Sequence, residues 1–282
     1  MDGNVKKKPE DSKSNKLIFI EPPQTINICK LGIVSHDYRY KEQNGYRDLS
    51  HTFKNILSCL DDRGCDSILF SLFTIVKRKS FDAIQILNGL KNIKAVFIEE
   101  FTDGYERNAG EYVVYFKGSN KWKEYRVTQK FGTLEYTKAF ENAVIEPFKK
   151  EVKEQRLFGN CTVLLCGETN IVKYSKATKK IDDKFGLLNL LPKQIEVILN
   201  PIHDRKTRFE MKLKRNFLSK NNRWVVSVWN KGKSDKNGKV KDGINPAWTV
   251  FYNGEERHII PIKCHLPTRT NIEIGILELQ NA

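Results

Sequence analysis

The chain has 282 residues, of which 39% are hydrophobic, and its formal net charge is +15. This length and apolar content suffice for one large domain with a sizeable core. The longest apolar runs are far shorter than the roughly 20 residues that cross a bilayer, and no apolar signal-like segment opens the chain. We therefore predict a cytoplasmic protein with no membrane association, whose charge favours polyanionic or acidic partners.

Six cysteines are scattered along the chain without a CxxC pair or a tight cysteine–histidine cluster. They are Cys29, Cys59, Cys65, Cys161, Cys166 and Cys264. Structural zinc sites and disulfide frameworks both have recognisable cysteine spacings, and neither spacing occurs here. We predict reduced thiols, no structural metal and no cofactor.

The first half of the chain alternates between strand-like and helix-like segments after a polar tail. Residues 1–16 are too polar to bury a core and are predicted to be disordered, and residues 17–282 to form one domain. Period-2 and period-3.6 patterns predict strands at 26–35, 67–76, 94–99, 111–117 and 125–129, and helices at 46–61 and 81–90.

The second half begins with a charged loop or helix at 140–157 and a short apolar strand at 162–165, which ends just before Cys166. Strands are also predicted at 195–199 and 224–229, and a hairpin pairs 248–252 with 258–262 through an Asn253-Gly254 turn. The alternation predicts an α/β protein with mixed rather than purely parallel sheets and with helices outside.

A strongly basic segment, Arg205–Arg223, lies between the last two apolar strands before the hairpin. Phe209, Leu213 and Phe217 recur at four-residue spacing, which predicts an amphipathic helix. His203-Asp204 precedes it, and we interpret Asp204 as the helix N-cap because a lone His-Asp pair is a weak metal signal.

Its position makes Cys166 the strongest candidate for a reactive residue, because it directly follows an apolar strand and directly precedes Gly167. The carboxyl ends of strands in α/β sheets usually carry the reactive groups, and a glycine permits a sharp turn there. A nucleophilic cysteine needs a base for its proton and a cation or N–H donor for the oxyanion.

The order of segments around Cys166 resembles that of the nitrilase (carbon–nitrogen hydrolase) superfamily, whose members use a Glu, Lys, Cys triad. The resemblance covers about residues 29–279 and includes the Leu-Leu-Cys-Gly-Glu segment and Lys130 after a strand. It implies a four-layer α-β-β-α sandwich that commonly dimerises, with Cys166 as nucleophile and Lys130 as the oxyanion partner.

One departure from the family pattern concerns the general base. The family has a Pro-Glu pair after the strand that here reaches Ser71 and Leu72, and neither residue is acidic. Losing a general base typically lowers a rate by about 10²- to 10⁴-fold. The carboxylates that we consider as substitutes are Glu99 or Glu100 at the next strand end, Glu141 or Glu146 before the cysteine, and Glu168 after it.

Three functional hypotheses remain open. The first is a cysteine hydrolase that acts on an amide or nitrile of a small molecule through a thioester, as a homodimer. The second is a nitrilase-like binding or regulatory module that has lost turnover, in an assembly that contacts nucleic acid. The third is a direct nucleic-acid or acidic-protein binder, in which Arg205–Arg223 follows phosphates and Trp224 or Trp229 stacks on bases.

Overall fold

The computed structural model describes residues 25–37, 48–78, 81–102, 111–119, 121–203, 209–232, 240, 244–266 and 272–279. The predicted tail at 1–16 lies outside these ranges. The α-helices are α1 (Phe53–Asp61), α2 (Ala83–Leu87), α3 (Lys138–Phe140), α4 (Glu146–Glu154), α5 (Leu187–Leu190) and α6 (Phe209–Leu218). A π-helical turn (Glu141–Ile145) precedes α4, and a 3₁₀-helix (Glu168–Ile171) follows Cys166.

The strands are short, and most of them belong to one of two sheets. In chain order they are β1 (Lys30–His36), β2 (Ser67–Phe70), β3 (Ile75–Val76), β4 (Ala95–Phe101), β5 (Glu111–Lys117), β6 (Trp122–Val127), β7 (Leu157–Phe158), β8 (Cys161–Val163), β9 (Lys173–Ser175), β10 (Lys180–Asp182), β11 (Val197–Ile202), β12 (Trp224–Trp229), β13 (Trp248–Tyr252), β14 (Glu255–Arg257), β15 (Pro261–Ile262) and β16 (Ile272–Glu278).

Both sheets are mixed. The first has the order β15-β16-β1-β2-β4-β5-β6, with β3 added beside β4, and the second has the order β14-β13-β12-β11-β8-β7. The central strands β1, β2 and β4 are parallel, as are β8, β11 and β12. The short β3 is also parallel to β4, whereas the other flanking strands are antiparallel. The prediction of an α/β protein with mixed sheets is therefore confirmed.

The two sheets pack face to face because alternate residues of their strands point inward. Leu31, Phe97 and Val114 of the first sheet share one buried cluster with Val163 and Val226 of the second. The residues between them point outward, as the two-residue period of a strand requires. This inter-sheet core ends where the parallel strands end, and that edge carries polar side chains.

Helices cover the outer faces of both sheets. Helix α1 places Phe53, Ile56, Leu57 and Leu60 at helical spacing against the outer face of the first sheet. Helices α4 and α5 pack on the outer face of the second sheet in a separate cluster that includes Phe148 and Leu187. Within the described ranges, none of the helices has the length and apolar character that crossing a lipid bilayer requires.

Two strand predictions and one cysteine prediction were wrong. The run 67–76 is not one strand, because a turn that holds Phe73 at a φ of 56° separates β2 from β3. The Asn253-Gly254 turn is real, but β13 pairs with β14, and β15 belongs to the other sheet. Cys59 and Cys264 form a disulfide across 205 residues, so the prediction of six reduced thiols is corrected for this pair.

Candidate active site

Three functional side chains meet where strands of the two sheets end. Glu99 lies on β4, on the inward-facing side shared by Ala95 and Phe97. His203 follows β11 directly, and Cys166 follows β8 after two further residues. The strands bring these residues together although they are far apart in the sequence. The site is thus built from both sheets.

His203 lies between the other two side chains. Its Nε2 is 3.2 Å from Oε2 of Glu99. Burial lowers the pKa of His203, but hydrogen bonds to Cys166 and Glu99 outweigh it and raise the pKa from 6.5 to about 9. An imidazole that is protonated at neutral pH favours an ionised thiol beside it.

Glu99 is held in place by the turn after β2. The backbone N–H of Phe73 donates to Oε2 of Glu99 at 2.5 Å, and the Phe73 ring packs on the His203 ring with centroids 4.3 Å apart. Phe73 has a φ of 56°, a left-handed conformation that costs a non-glycine residue free energy. This strained turn therefore positions both Glu99 and His203.

A second cation lies behind the site. Arg215 of α6 is fully buried and donates to Oγ of Ser227, the carbonyl of Met211 and Oδ1 of Asn200, all of them neutral acceptors. Among the described residues no carboxylate forms an ion pair with it. Burial lowers the pKa of Arg215, and the attraction of a Cys166 anion opposes that shift. An ionised Cys166 would therefore offset the burial of this guanidinium.

The turn that carries Cys166 is organised by a buried ion pair. Glu168 accepts from Arg156 at 2.6 Å and from the backbone N–H groups of Leu165 and Lys130, each at 2.8 Å. Burial raises the pKa of Glu168, and Arg156 opposes that shift. With both oxygens engaged, Glu168 has a structural part in the turn rather than the position of a free base.

Lys130 lies beside this turn, but its ammonium is occupied. Its Nζ is 2.6 Å from Oε2 of Glu151, whose other oxygen accepts from Arg156 at 2.7 Å. Glu151 was not among the predicted site residues. No contact between Nζ of Lys130 and Cys166 is found in the described part of the chain. The oxyanion role of Lys130 stays a prediction.

Gly167 allows the turn to pack closely against the segment after Lys130. A Cβ at Gly167 would overlap the Cα and carbonyl group of Gly132. We expect Gly167→Ala to lower the free energy of unfolding by about 1–3 kcal/mol, because backbone must move to accommodate the methyl group. Urea denaturation measures this, and Gly89→Ala is the matched control, since its Cβ would meet only ordinary contacts. Equal stability of the two variants would contradict this assignment.

The remaining predicted carboxylates lie elsewhere. Glu100 points to the outer face, where it accepts from Tyr115 and pairs with Arg126. Glu141 pairs with Lys138, and Glu146 with Lys149, on the protein surface. Within the described ranges no group of three or more His, Cys, Asp or Glu side chains has the geometry of a metal site.

Ser71 and Leu72, at the expected position of the family's base, form hydrogen bonds with His36 and Asn230. Oγ of Ser71 is 3.2 Å from Nδ1 of His36, and the carbonyl of Leu72 accepts from the Asn230 amide at 2.8 Å. These residues are also at the ends of parallel strands, β1, β2 and β12. They contribute polar groups to the same edge but no carboxylate.

The basic segment Arg205–Arg223 does not form a continuous cationic surface in its described part, which begins at Phe209. Lys214, Arg215 and Arg223 are buried, and Lys212 pairs with Glu256. Of the two tryptophans considered for base stacking, Trp229 is fully buried, which excludes it, and Trp224 is half-buried and stacks on Tyr252 with centroids 4.5 Å apart. Asp204, the predicted N-cap, lies outside the described residues.

Several solved structures resemble this chain distantly in fold. Glutamine-dependent NAD+ synthetase from Acinetobacter baumannii aligns with a TM-score of 0.48 at 12% identity, over 91% of this chain and 48% of that one. This chain thus spans about half of the synthetase. A carbon–nitrogen hydrolase from Helicobacter pylori G27 aligns with a TM-score of 0.43 at 13% identity, over 89% of each chain.

A variant of the Nesterenkonia AN1 amidase, from the nitrilase superfamily, aligns with a TM-score of 0.45 at 10% identity, over 89% of this chain and 90% of that one. The likeness to all three structures is one of fold alone. No protein-family model and no curated protein matches the chain.

Proposed function

We propose that this protein is a cysteine amidohydrolase in which Cys166 is the nucleophile, His203 the general base and acid, and Glu99 the residue that orients His203. The observation that carries this proposal is the position of His203 between Cys166 and Glu99. A nucleophile, a base within hydrogen-bond reach and a third group that orients the base are the recurring parts of acyl-transfer sites.

In the resting state His203 holds the proton of Cys166, and in the first half of the reaction Sγ of the Cys166 thiolate attacks the amide carbon. The carbon–sulfur bond forms as the carbonyl oxygen takes up negative charge. His203 then gives its proton to the amide nitrogen, the carbon–nitrogen bond breaks, and the amine leaves. The product on the enzyme is a thioester of Cys166.

Water completes the cycle. His203, now neutral, takes a proton from a water molecule, whose oxygen attacks the thioester carbon. The carbon–sulfur bond breaks, and the carboxylic acid leaves while the Cys166 thiolate and protonated His203 are restored. Arg215 adds a fixed positive charge near the sulfur in both halves of the cycle.

The protonated state of His203 favours amides over nitriles as substrates. An amide nitrogen leaves only when it is protonated, and His203 holds a proton at neutral pH because its pKa is about 9. A nitrile has no leaving group in the first step. Lys130 remains our candidate for the oxyanion donor by resemblance, and this role requires its ammonium to leave Glu151.

Selective alkylation of Cys166 is the experiment that tests the proposal. Cys29 is exposed, whereas Cys65 and Cys161 are buried, and burial raises the pKa of Cys65 to about 11. We expect a limiting thiol-reactive electrophile at pH 7 to modify Cys166 about 10-fold faster than Cys29, because an ordinary thiol is only a few per cent ionised there. Peptide mapping by mass spectrometry measures both rates in one sample.

Cys166→Ser is the control that assigns the fast phase, and Cys29→Ser is its matched counterpart. The fast phase is expected to vanish in the first variant and to persist in the second. Slow labelling of Cys166, at or below the rate of Cys29, would overturn the hydrolase proposal. The protein would then fit the alternative of a binding or regulatory module without turnover.

A further inference from the structure

A cavity of about 880 Å³ has a lining that does not include Cys166, His203 or Glu99. Its walls come from the segment after Lys130, the β9–β10 hairpin and helix α6. This volume falls within the range of small-molecule sites, roughly 300–1,000 Å³. Neither the proposed reaction nor the fold comparison uses this cavity.

Four lysines line the cavity: Lys173, Lys176, Lys184 and Lys214. Asp182 and Glu210 are the carboxylates of the lining, so cations exceed anions there. None of the four ammonium groups forms an ion pair with a carboxylate within the ranges that the structure describes. An excess of unpaired ammonium groups in a concave site attracts anions and is only partly screened by salt.

Lys214 is the most informative of the four because it is only 7% exposed. Its Nζ donates to Oδ1 of Asn170 at 2.9 Å. The Asn170 amide nitrogen donates in turn to the carbonyl of Gly132 at 2.8 Å, which leaves its oxygen directed towards Lys214. Burial lowers the pKa of Lys214. A buried ammonium with one neutral acceptor has unused donors, and an anion in the cavity would satisfy them.

Aromatic rings complete the lining. The Tyr136 ring is 44% exposed, and the ammonium groups of Lys173 and Lys184 lie 4.6 Å and 5.3 Å from its centroid. Tyr174 lies in the same wall. Two lysines gathered around an exposed ring place cationic donors beside an aromatic surface. That combination suits a ligand that has phosphate groups and a flat ring.

We propose that this cavity binds a nucleoside phosphate. The four lysines, including Lys214, would contact the phosphate oxygens, because the lysine ammonium group is a common point-charge partner of phosphate. Tyr136 or Tyr174 would pack against the base. A carboxylate ligand is a poorer fit, because planar bidentate recognition of carboxylates favours arginine and the lining has none. This proposal is independent of the reaction assigned to Cys166.

Isothermal titration calorimetry on the full chain in phosphate-free buffer tests the proposal with ATP, ADP, pyrophosphate and adenosine. We expect ATP and ADP to bind more tightly than pyrophosphate, and adenosine not to bind. The double variant Lys173→Ala/Lys184→Ala is expected to lower the affinity for ATP and ADP at least about 10-fold, because each hydrogen bond to a charged group contributes substantially to the binding free energy. Both lysines are exposed, so the variant is expected to fold.

The matched control is Lys121→Ala/Lys220→Ala, which removes two exposed charges outside the cavity and should leave the affinity unchanged. Four outcomes would overturn the proposal: no binding of ATP or ADP, affinity no tighter than that of pyrophosphate, equal losses in the two double variants, or tighter binding of a 12-nucleotide single strand than of ATP. The last would indicate a nucleic-acid surface instead.

Discussion

His203→Gln is expected to lower kcat/KM for a susceptible amide about 10²- to 10⁴-fold, the usual contribution of a positioned general base. It is also expected to change how the alkylation rate of Cys166 depends on pH. In the native protein the pKa of His203 is about 9, so the thiolate–imidazolium pair persists through neutral pH and the rate should be nearly constant from pH 6 to 8. In the variant the rate should rise with pH, as for an ordinary thiol, whose pKa is about 8.5.

The same pKa predicts the alkaline limb of turnover. A histidine whose pKa is raised in the folded state stabilises the fold fully below its unfolded value of about 6.5, and this contribution is lost as pH rises through 9. Over the same window His203 loses the proton that the leaving amine needs. We therefore expect kcat/KM to fall above pH 9 in the native protein.

Two matched pairs of variants keep the assignment testable. His258→Gln makes the same change at an exposed histidine and should leave the pH profile intact. Glu99→Gln should reduce turnover, because the carboxylate that orients His203 loses its charge, whereas Glu100→Gln changes a carboxylate on the outer face. If the alkylation rate of Cys166 is independent of pH in the native protein and stays so in His203→Gln, His203 is excluded as the base.

The strands whose bounds were predicted correctly are those with a dense pattern of β-branched and aromatic residues. Glu111–Lys117, Trp224–Trp229 and Trp248–Tyr252 have the predicted bounds. The run 67–76 was predicted as one strand because its apolar residues continue through the turn. A phenylalanine in the left-handed region at Phe73 leaves no signal in the sequence, since phenylalanine rarely adopts that conformation.

The candidate site was only half predictable for a related reason. Cys166, and Glu99 or Glu100 as a substitute base, were named from the rule that reactive groups lie at strand ends, and the orienting role proposed for Glu99 was not foreseen. Strand alternation separates inward Glu99 from outward Glu100. His203 also lies at a strand end, but beside Asp204 it was interpreted as part of a helix start. Its 104-residue separation from Glu99 follows from the packing of two sheets, which local patterns do not report. The Cys59–Cys264 disulfide was missed for the same reason.

Arg156→Met is expected to lower the free energy of unfolding by about 3–5 kcal/mol, the largest stability effect that we predict. Arg156 and Glu168 are both fully buried, and Arg156 also donates to the carbonyl of Thr128 at 2.8 Å. Removing the guanidinium leaves a buried carboxylate whose remaining donors, among the residues that the structure describes, are the N–H groups of Leu165 and Lys130. Urea denaturation gives the change in free energy from the midpoint, provided that the slope is constant.

A double-mutant cycle separates the effect of leaving the Glu168 charge unpaired from the effect of losing the packing of the Arg156 side chain. In Arg156→Met/Glu168→Gln a neutral amide replaces the unpaired charge, so the double variant should lose less than the sum of the single variants. The pKa of Glu168 is already raised by burial, and losing Arg156 raises it further. A carboxyl whose folded pKa exceeds its unfolded value destabilises the fold as pH rises, so Arg156→Met should be closer to the native stability at pH 5 than at pH 8.

Lys149→Met, which breaks the surface pair with Glu146, should change stability by no more than about 0.5 kcal/mol at either pH. Additive losses without a pH dependence would mean that Arg156 acts through packing alone, and the turn that carries Cys166 would not depend on the charge of Glu168.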